Sequence, residues 1–128
     1  DLAPFLTAAT RLQKLYLQSL PAVQELPALD GLPSLYALKL YELHKLNDLS
    51  ALSHSYLRYF AASLIGDKLS AQALADAVMA IPNLEAAALQ LADRSERRYG
   101  SIQKAFAAAG KSALLREEIS ALTTWLSL

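Results

Sequence analysis

Residues 33–47 read Pro-Ser-Leu-Tyr-Ala-Leu-Lys-Leu-Tyr-Glu-Leu-His-Lys-Leu-Asn, and the way their leucines are counted decides the fold. Counted in threes and fours, Leu35, Leu38, Tyr41 and Leu46 form one apolar stripe, with Lys39, Glu42 and Lys45 outward. That is the pattern of an amphipathic helix, and Pro33 suits its first turn because a helix leaves its first N–H groups unpaired anyway. The expectation is a helix from Pro33 to about Asn47, closed by a junction at Asn47, Asp48 and Ser50.

The same count extends in both directions. Upstream it predicts a helix capped by Asp1, with Pro4 in its first turn and Leu2, Phe5, Leu6, Ala9, Leu12, Tyr16 and Leu20 on its buried face. Pro21 ends it, and Pro21 to Leu32 reads as a short helical turn and a loop. Downstream, Leu52, Tyr56, Tyr59, Phe60, Ser63 and Leu64 form a third helix closed by a cap at Gly66. Ser70 caps a short helix to Ile81 with Leu74, Ala77 and Val78 on one face. Another runs from Pro82 through Leu84, Ala88, Leu91 and Ala92 to Gly100. Ser101 opens a helix that Gly110 ends, and Ser112 caps a last one holding Leu115, Ile119, Leu122 and Trp125. Valine, isoleucine and threonine, which favour strands, are scarce. No repeat of fixed period and no low-complexity linker stands out. The expected fold class is therefore all-α, an irregular bundle of about six or seven helices in a single domain spanning residues 1–128.

Composition narrows the function classes. The chain has 128 residues, 54% of them hydrophobic, enough for one core. No apolar run reaches the roughly 18 residues that a membrane-spanning helix needs, so the expectation is a soluble protein with no membrane span. Twelve basic and twelve acidic residues cancel, and no whole-domain field draws the chain to nucleic acid. There is no cysteine, hence no disulfide, thiolate nucleophile or thiolate metal site. The start Asp1-Leu-Ala-Pro-Phe lacks the form of a signal peptide, giving a cytoplasmic expectation, with a piece cut from a longer signalling protein as the alternative.

Candidate chemistry is sparse. His44 and His54 titrate near neutrality, but neither has the second and third ligands of a metal site. Glu117 and Glu118 are adjacent and so point to different helix faces. No phosphate-binding glycine loop, nucleophile elbow or zinc-protease motif occurs, and the expectation is no enzyme, no metal and no cofactor. Two clusters are candidates for a ligand or partner. Arg94, Arg97, Arg98 and Lys104 gather where the Ser101 helix would start, an arrangement able to hold a phosphate. His54, Tyr56, Arg58 and Tyr59 combine aromatic faces with a guanidinium, and Tyr59 or Tyr41 would sit at the rim with its hydroxyl wet.

Ser70, Leu74, Val78 and Pro82-Asn83-Leu84, then Ser101-Ile102, Ala105, Gly110 and Leu114, give a spacing from about 53 to 115 that resembles the HDOD family. HDOD domains are regulatory relatives of HD phosphohydrolases without their metal dyad. The resemblance implies a helical, non-catalytic domain of bacterial-type signalling whose partner is another protein or domain. In place of that family's asparagine-serine stands Asp93-Arg94-Ser95. His54-Ser-Tyr56-Leu-Arg58-Tyr59 is similar to the His-x-Tyr-x-Arg-Tyr stretch of heme oxygenases, which implies a tetrapyrrole sensor, although Lys14 stands where that family ligates iron. A histidine phosphotransfer domain acting through His54 is a third expectation, with Leu57 and Arg58 at the offsets where that family has lysine and glycine.

Overall fold

The computed structural model describes residues 11–63, 65–66, 68–89, 96–117 and 119. Lys14–Gln18 is a strand, β1, and Ala37–Tyr41, Tyr59–Ser63 and Ala86–Ala88 are β2, β3 and β4. They form one parallel sheet in chain order. Lys14 lies opposite Ala37, Ala37 opposite Tyr59, and Tyr59 opposite Ala86. An isolated parallel bridge from Ala87 to Leu115 adds the start of a fifth position.

The sheet makes the periodicity of the leucines intelligible. In β2 from Leu38 on and in β3, burial alternates with the two-residue period of a pleat: Leu38 and Leu40 are fully buried while Lys39 and Tyr41 are not. Successive strands place like residues in line. Leu12, Leu35, Leu57 and Leu84 precede the strands; Leu15, Leu38, Phe60 and Ala87 point inward, followed by Leu17, Leu40, Ala62 and Leu89. Leu20, Leu43 and Ile65 come after them, and all of these belong to or pack against one core. The chain is thus a stack of coils, each a strand, a turn, a return segment and a second turn. Parallel neighbours require such a crossover between them.

The return segments lie behind the sheet and thicken along the chain. Between β1 and β2 the return is extended and carries Leu26, Leu29 and Leu32 inward; after β2, Leu49, Leu52 and Ser55 repeat those places. The match is local as well as global: the Leu32 N–H donates to the Leu29 carbonyl and the Ser55 N–H to that of Leu52. Ser55 is the one buried polar residue among those described, and its hydroxyl also donates to the Leu52 carbonyl at 2.7 Å. Residues 50–54 are a 3₁₀ turn. The third return is a helix, α1 (Ala71–Met79), and the fourth a longer one, α2 (Glu96–Ala108). Ser70 caps α1, its Oγ accepting from the Ala73 N–H at 3.0 Å, and Leu74, Ala75 and Val78 are buried against Ile102 and Phe106 of α2.

The expected all-α bundle is therefore corrected to an α/β fold with a four-stranded parallel sheet. Leu35 and Leu38, then Leu43, Leu46, Leu49 and Leu52, recur every three residues because the coil, where it turns around its core, brings every third residue inward, with no α-helix involved. The expected helices over 33–47 and 52–64 are the strands β2 and β3 with their turns, and the first is β1 from residue 14 on. Of the expected helix from Pro82, residues 86–88 are β4. Residues 1–10, Leu64, Leu91, Ala92, Leu122 and Trp125 lie outside the described residues. Gly100 does not stop a helix and Ser101 does not start one: both lie inside α2, where the Ser101 hydroxyl donates back to the Arg97 carbonyl at 3.2 Å. Ser112 opens only a 3₁₀ turn to Leu114. Gly110 does end α2. Its φ of 71°, with the Gly110 N–H on the Ala107 carbonyl and the Lys111 N–H on that of Phe106, is a Schellman cap. Gly66 serves otherwise: its Cα faces the backbone of His44 on the coil before, so closely that no Cβ fits.

Candidate functional site on the outer face of the sheet

The side chains that alternate with the core leucines cover the opposite face of the sheet. Three rows follow from the register: Lys14, Ala37, Tyr59, Ala86; then Tyr16, Lys39, Ala61, Ala88; then Gln18, Tyr41, Ser63. Tyrosine and lysine stand on the first three strands, and alanine dominates towards β4. The Lys39 ammonium lies 5.1 Å from the centre of the Tyr16 ring, a cation–π contact along the second row. Tyr36, just before β2, meets Tyr59 edge-on with ring centres 6.2 Å apart and planes at 75°. Burial beneath these neighbours raises the Tyr16 phenol above its ordinary pKa, and the nearby Tyr41 and Glu42 add to the effect.

Both ends of the strands are held by particular backbone features. The Tyr36 carbonyl accepts the N–H groups of Arg58 and Tyr59, and the Arg58 carbonyl those of Glu85 and Ala86, fixing the entry to β3 and β4. Beyond β1 and β2, Ser19 and Glu42 take φ of 55° and 57° at equivalent places, turning the chain out of the sheet. These left-handed residues are neither Gly nor Asn, so local propensity gives no warning of them.

The expected site residues divide between this face, its rim and the back. Tyr59 is on the face. Arg58 is at its lower rim, its guanidinium paired with Glu85 and 5.6 Å from the Tyr59 ring centre. The pairing holds the Glu85 carboxyl below its ordinary pKa and raises that of Arg58. Tyr56 is exposed on the turn before β3. His54 ends the 3₁₀ turn at the back, where it lines a surface hollow of about 330 Å³ with Leu26, Leu29, Asp30, Ser50 and Ser53. Neither Tyr56 nor Arg58 lines that hollow, so the expected cluster of these residues with His54 does not form around it.

The basic cluster is likewise dispersed. Arg97 and Lys104 are exposed on α2. Arg98 turns inward, donating to the carbonyls of Ile65 at 3.1 Å, Gly66 at 3.3 Å and Leu69. It ties α2 to the turn before α1 and is a structural cross-brace. Arg94 lies outside the described residues. The helix start that was to hold a phosphate is absent at Ser101, whose N–H sits within the helix. The face residues Tyr16, Tyr36 and Lys39 were not among the expected candidates; the alternations Leu-Tyr-Leu-Gln at 15–18 and Leu-Lys-Leu-Tyr at 38–41 were their signal.

Among the described residues no three His, Asp or Glu side chains converge as metal ligands, and no helix is long and apolar enough to cross a membrane. No family model, curated protein or solved structure matches the chain.

Proposed function

We propose that the chain is a leucine-rich-repeat solenoid that acts without catalysis, binding another protein through the outer face of its sheet. The inward frame at 12, 15, 17 and 20, renewed at 35, 38, 40 and 43, follows the L-x-x-L-x-L run by which such repeats place one strand per coil. The observation that carries the functional reading is the outer face itself. A parallel sheet is ordinarily covered on both sides, and here one side presents Tyr16, Lys39, Tyr41 and Tyr59. Tyrosine offers wide contact area with few rotatable bonds and a hydroxyl that tolerates water, which is why it is enriched where proteins meet. Stacked coils make such a face long and continuous, the usual binding surface of solenoids.

The test is a selection of peptides from a random display library on the immobilised chain, followed by binding to Lys39→Glu, Tyr41→Asp and His54→Ala variants. The expected result is that most selected peptides lose at least tenfold in affinity on the two face variants and keep it on His54→Ala. Peptides that bind the face variants unchanged and fail on His54→Ala would move the site to the back and overturn the reading.

A further inference from the structure

Among the described residues, Ile119 lies over the outer face from outside the four strands. Past α2, Leu115 pairs with Ala87 and the Arg116 N–H donates to the Ala87 carbonyl at 2.8 Å, so the chain re-enters the sheet beside β4. Continued straight, a strand in this register would carry residue 117 past Leu89 and away from the first row. Ile119 is instead buried in one cluster with Ala37 and Ala86, bordered by Tyr36, Tyr59, Ala61 and Ala88. Ala37 and Ala86 are first-row residues, and each precedes a residue that points into the core, so the cluster belongs to the outer face. Ile119 therefore lies over the outer face and not in line with Leu115. It brings a branched aliphatic side chain over a floor of alanines beside the Tyr36 and Tyr59 rings. The floor is closed by this arrangement: Ala37 is 0% and Ala86 7% exposed.

We infer that Ile119 holds, in the free protein, the seat that a partner fills with a branched aliphatic side chain of its own. The inference rests on the proposed protein-binding role of this face. Four alanines, set in the same rows as the tyrosines and lysines, leave depth for a side chain, and Ile119 shows which shape that depth accepts. A tethered occupant competes at a high effective concentration, so the partner's segment must displace Ile119, and removing Ile119 opens the seat.

The probe is a fluorescent peptide of residues 114–123 (Leu-Leu-Arg-Glu-Glu-Ile-Ser-Ala-Leu-Thr), titrated by anisotropy into the full chain and into full-chain Ile119→Asp and Ile119→Ala variants. Both variants are expected to bind it at least tenfold more tightly than the unaltered chain, and to ignore the same peptide with aspartate in place of the isoleucine. The Ile119→Ala variant, a simple truncation, keeps the test decisive if the charged one misfolds. Equal affinity in all three proteins, or no binding by the Ile119→Ala variant, overturns the inference. So does an unaltered chain that is a dimer and becomes monomeric on Ile119→Asp, since Ile119 would then seat on a second copy. Library peptides that still require Lys39 and Tyr41 while the Ile119 variants gain nothing would leave the docking face standing and remove only the seat.

Discussion

Replacing Gly66 by alanine is the sharpest test of the stacked-coil architecture. A Cβ at this position would lie 2.8 Å from the His44 carbonyl carbon and 3.0 Å from its Cα, with the carbonyl oxygen closer still. The obstacle is backbone, which cannot rotate away as a side chain would, so the coil carrying β3 must move off the coil carrying β2. A backbone bond that joins these two coils is the Glu42 N–H to the Ser63 carbonyl, already at 3.2 Å. Overpacking costs about 1–3 kcal/mol, and a buried backbone pair pulled apart about 1–3 more. Against this, alanine restricts the unfolded chain and returns about 0.4–1 kcal/mol. The combined ranges leave a net loss of about 1–6 kcal/mol, with about 2–4 kcal/mol at their centre. At about 2.1 cal/mol/K per residue over 128 residues, the unfolding midpoint falls by roughly 7–15 °C. Thermal unfolding followed by circular dichroism measures it, with Gly100→Ala as the internal control. Gly100 is inside α2 with open space around its Cα, and alanine there adds about 0.5–1 kcal/mol of helix stability. A Gly66→Ala midpoint within about 2 °C of the unaltered chain would refute the close approach of the two coils.

Three further outcomes follow. Leu40→Asp buries a carboxylate in the core and should prevent folding, whereas Lys39→Leu, one residue away on the other face, should leave the unfolding midpoint within a few degrees; chemical denaturation of both separates a strand from a helix at this point. Because pairing with Arg58 lowers the Glu85 pKa, the stability it lends is present above the ordinary glutamate range and lost as pH falls through the lower folded value. Glu85→Gln should therefore flatten the acid limb of the stability–pH curve and leave the alkaline limb alone. Tyr16 is the reverse case: its raised pKa means stability held below about pH 10 and lost as pH rises through the higher folded value. In a titration of phenolate absorbance, Tyr16→Phe should remove a late-titrating component; removal of an early one would contradict the burial of that ring.

What could be read from the sequence was the start of α1 and the end of α2, not the strands, nor the roles of Gly66, Gly100 and Ser101. Ser70 as a cap, the buried faces of Leu74 and Val78, and Gly110 as a stop depend on interactions within a few residues, and they stand as expected. The strands do not announce themselves in that way. Each is only three to five residues long, too short for alternation to outweigh the run of leucines around it, and the turns on either side bring leucines inward at a spacing of about three. The repeat was concealed by its uneven length: Lys14 to Ala37 is 23 residues and Ala37 to Tyr59 is 22, but Tyr59 to Ala86 is 27 and Ala87 to Leu115 is 28. For the site, Tyr59 and Arg58 were identifiable by residue type. Their contacts, Tyr36 and Glu85, come from other coils and become visible only once the register is known, as does the meeting of Lys39 with Tyr16.

That uneven length carries a geometric consequence. Strands in a sheet repeat every 4.7–4.9 Å, whereas packed helices need about 8–10 Å between axes. Where the return segments are extended or 3₁₀, front and back can advance at nearly the same pitch. Where α1 and α2 take over, the back needs more room per coil than the front, and the stack must bend with its sheet on the inside. Insertions behind the sheet therefore set the curvature of the outer face that carries Tyr41 and Tyr59 without altering a residue on that face.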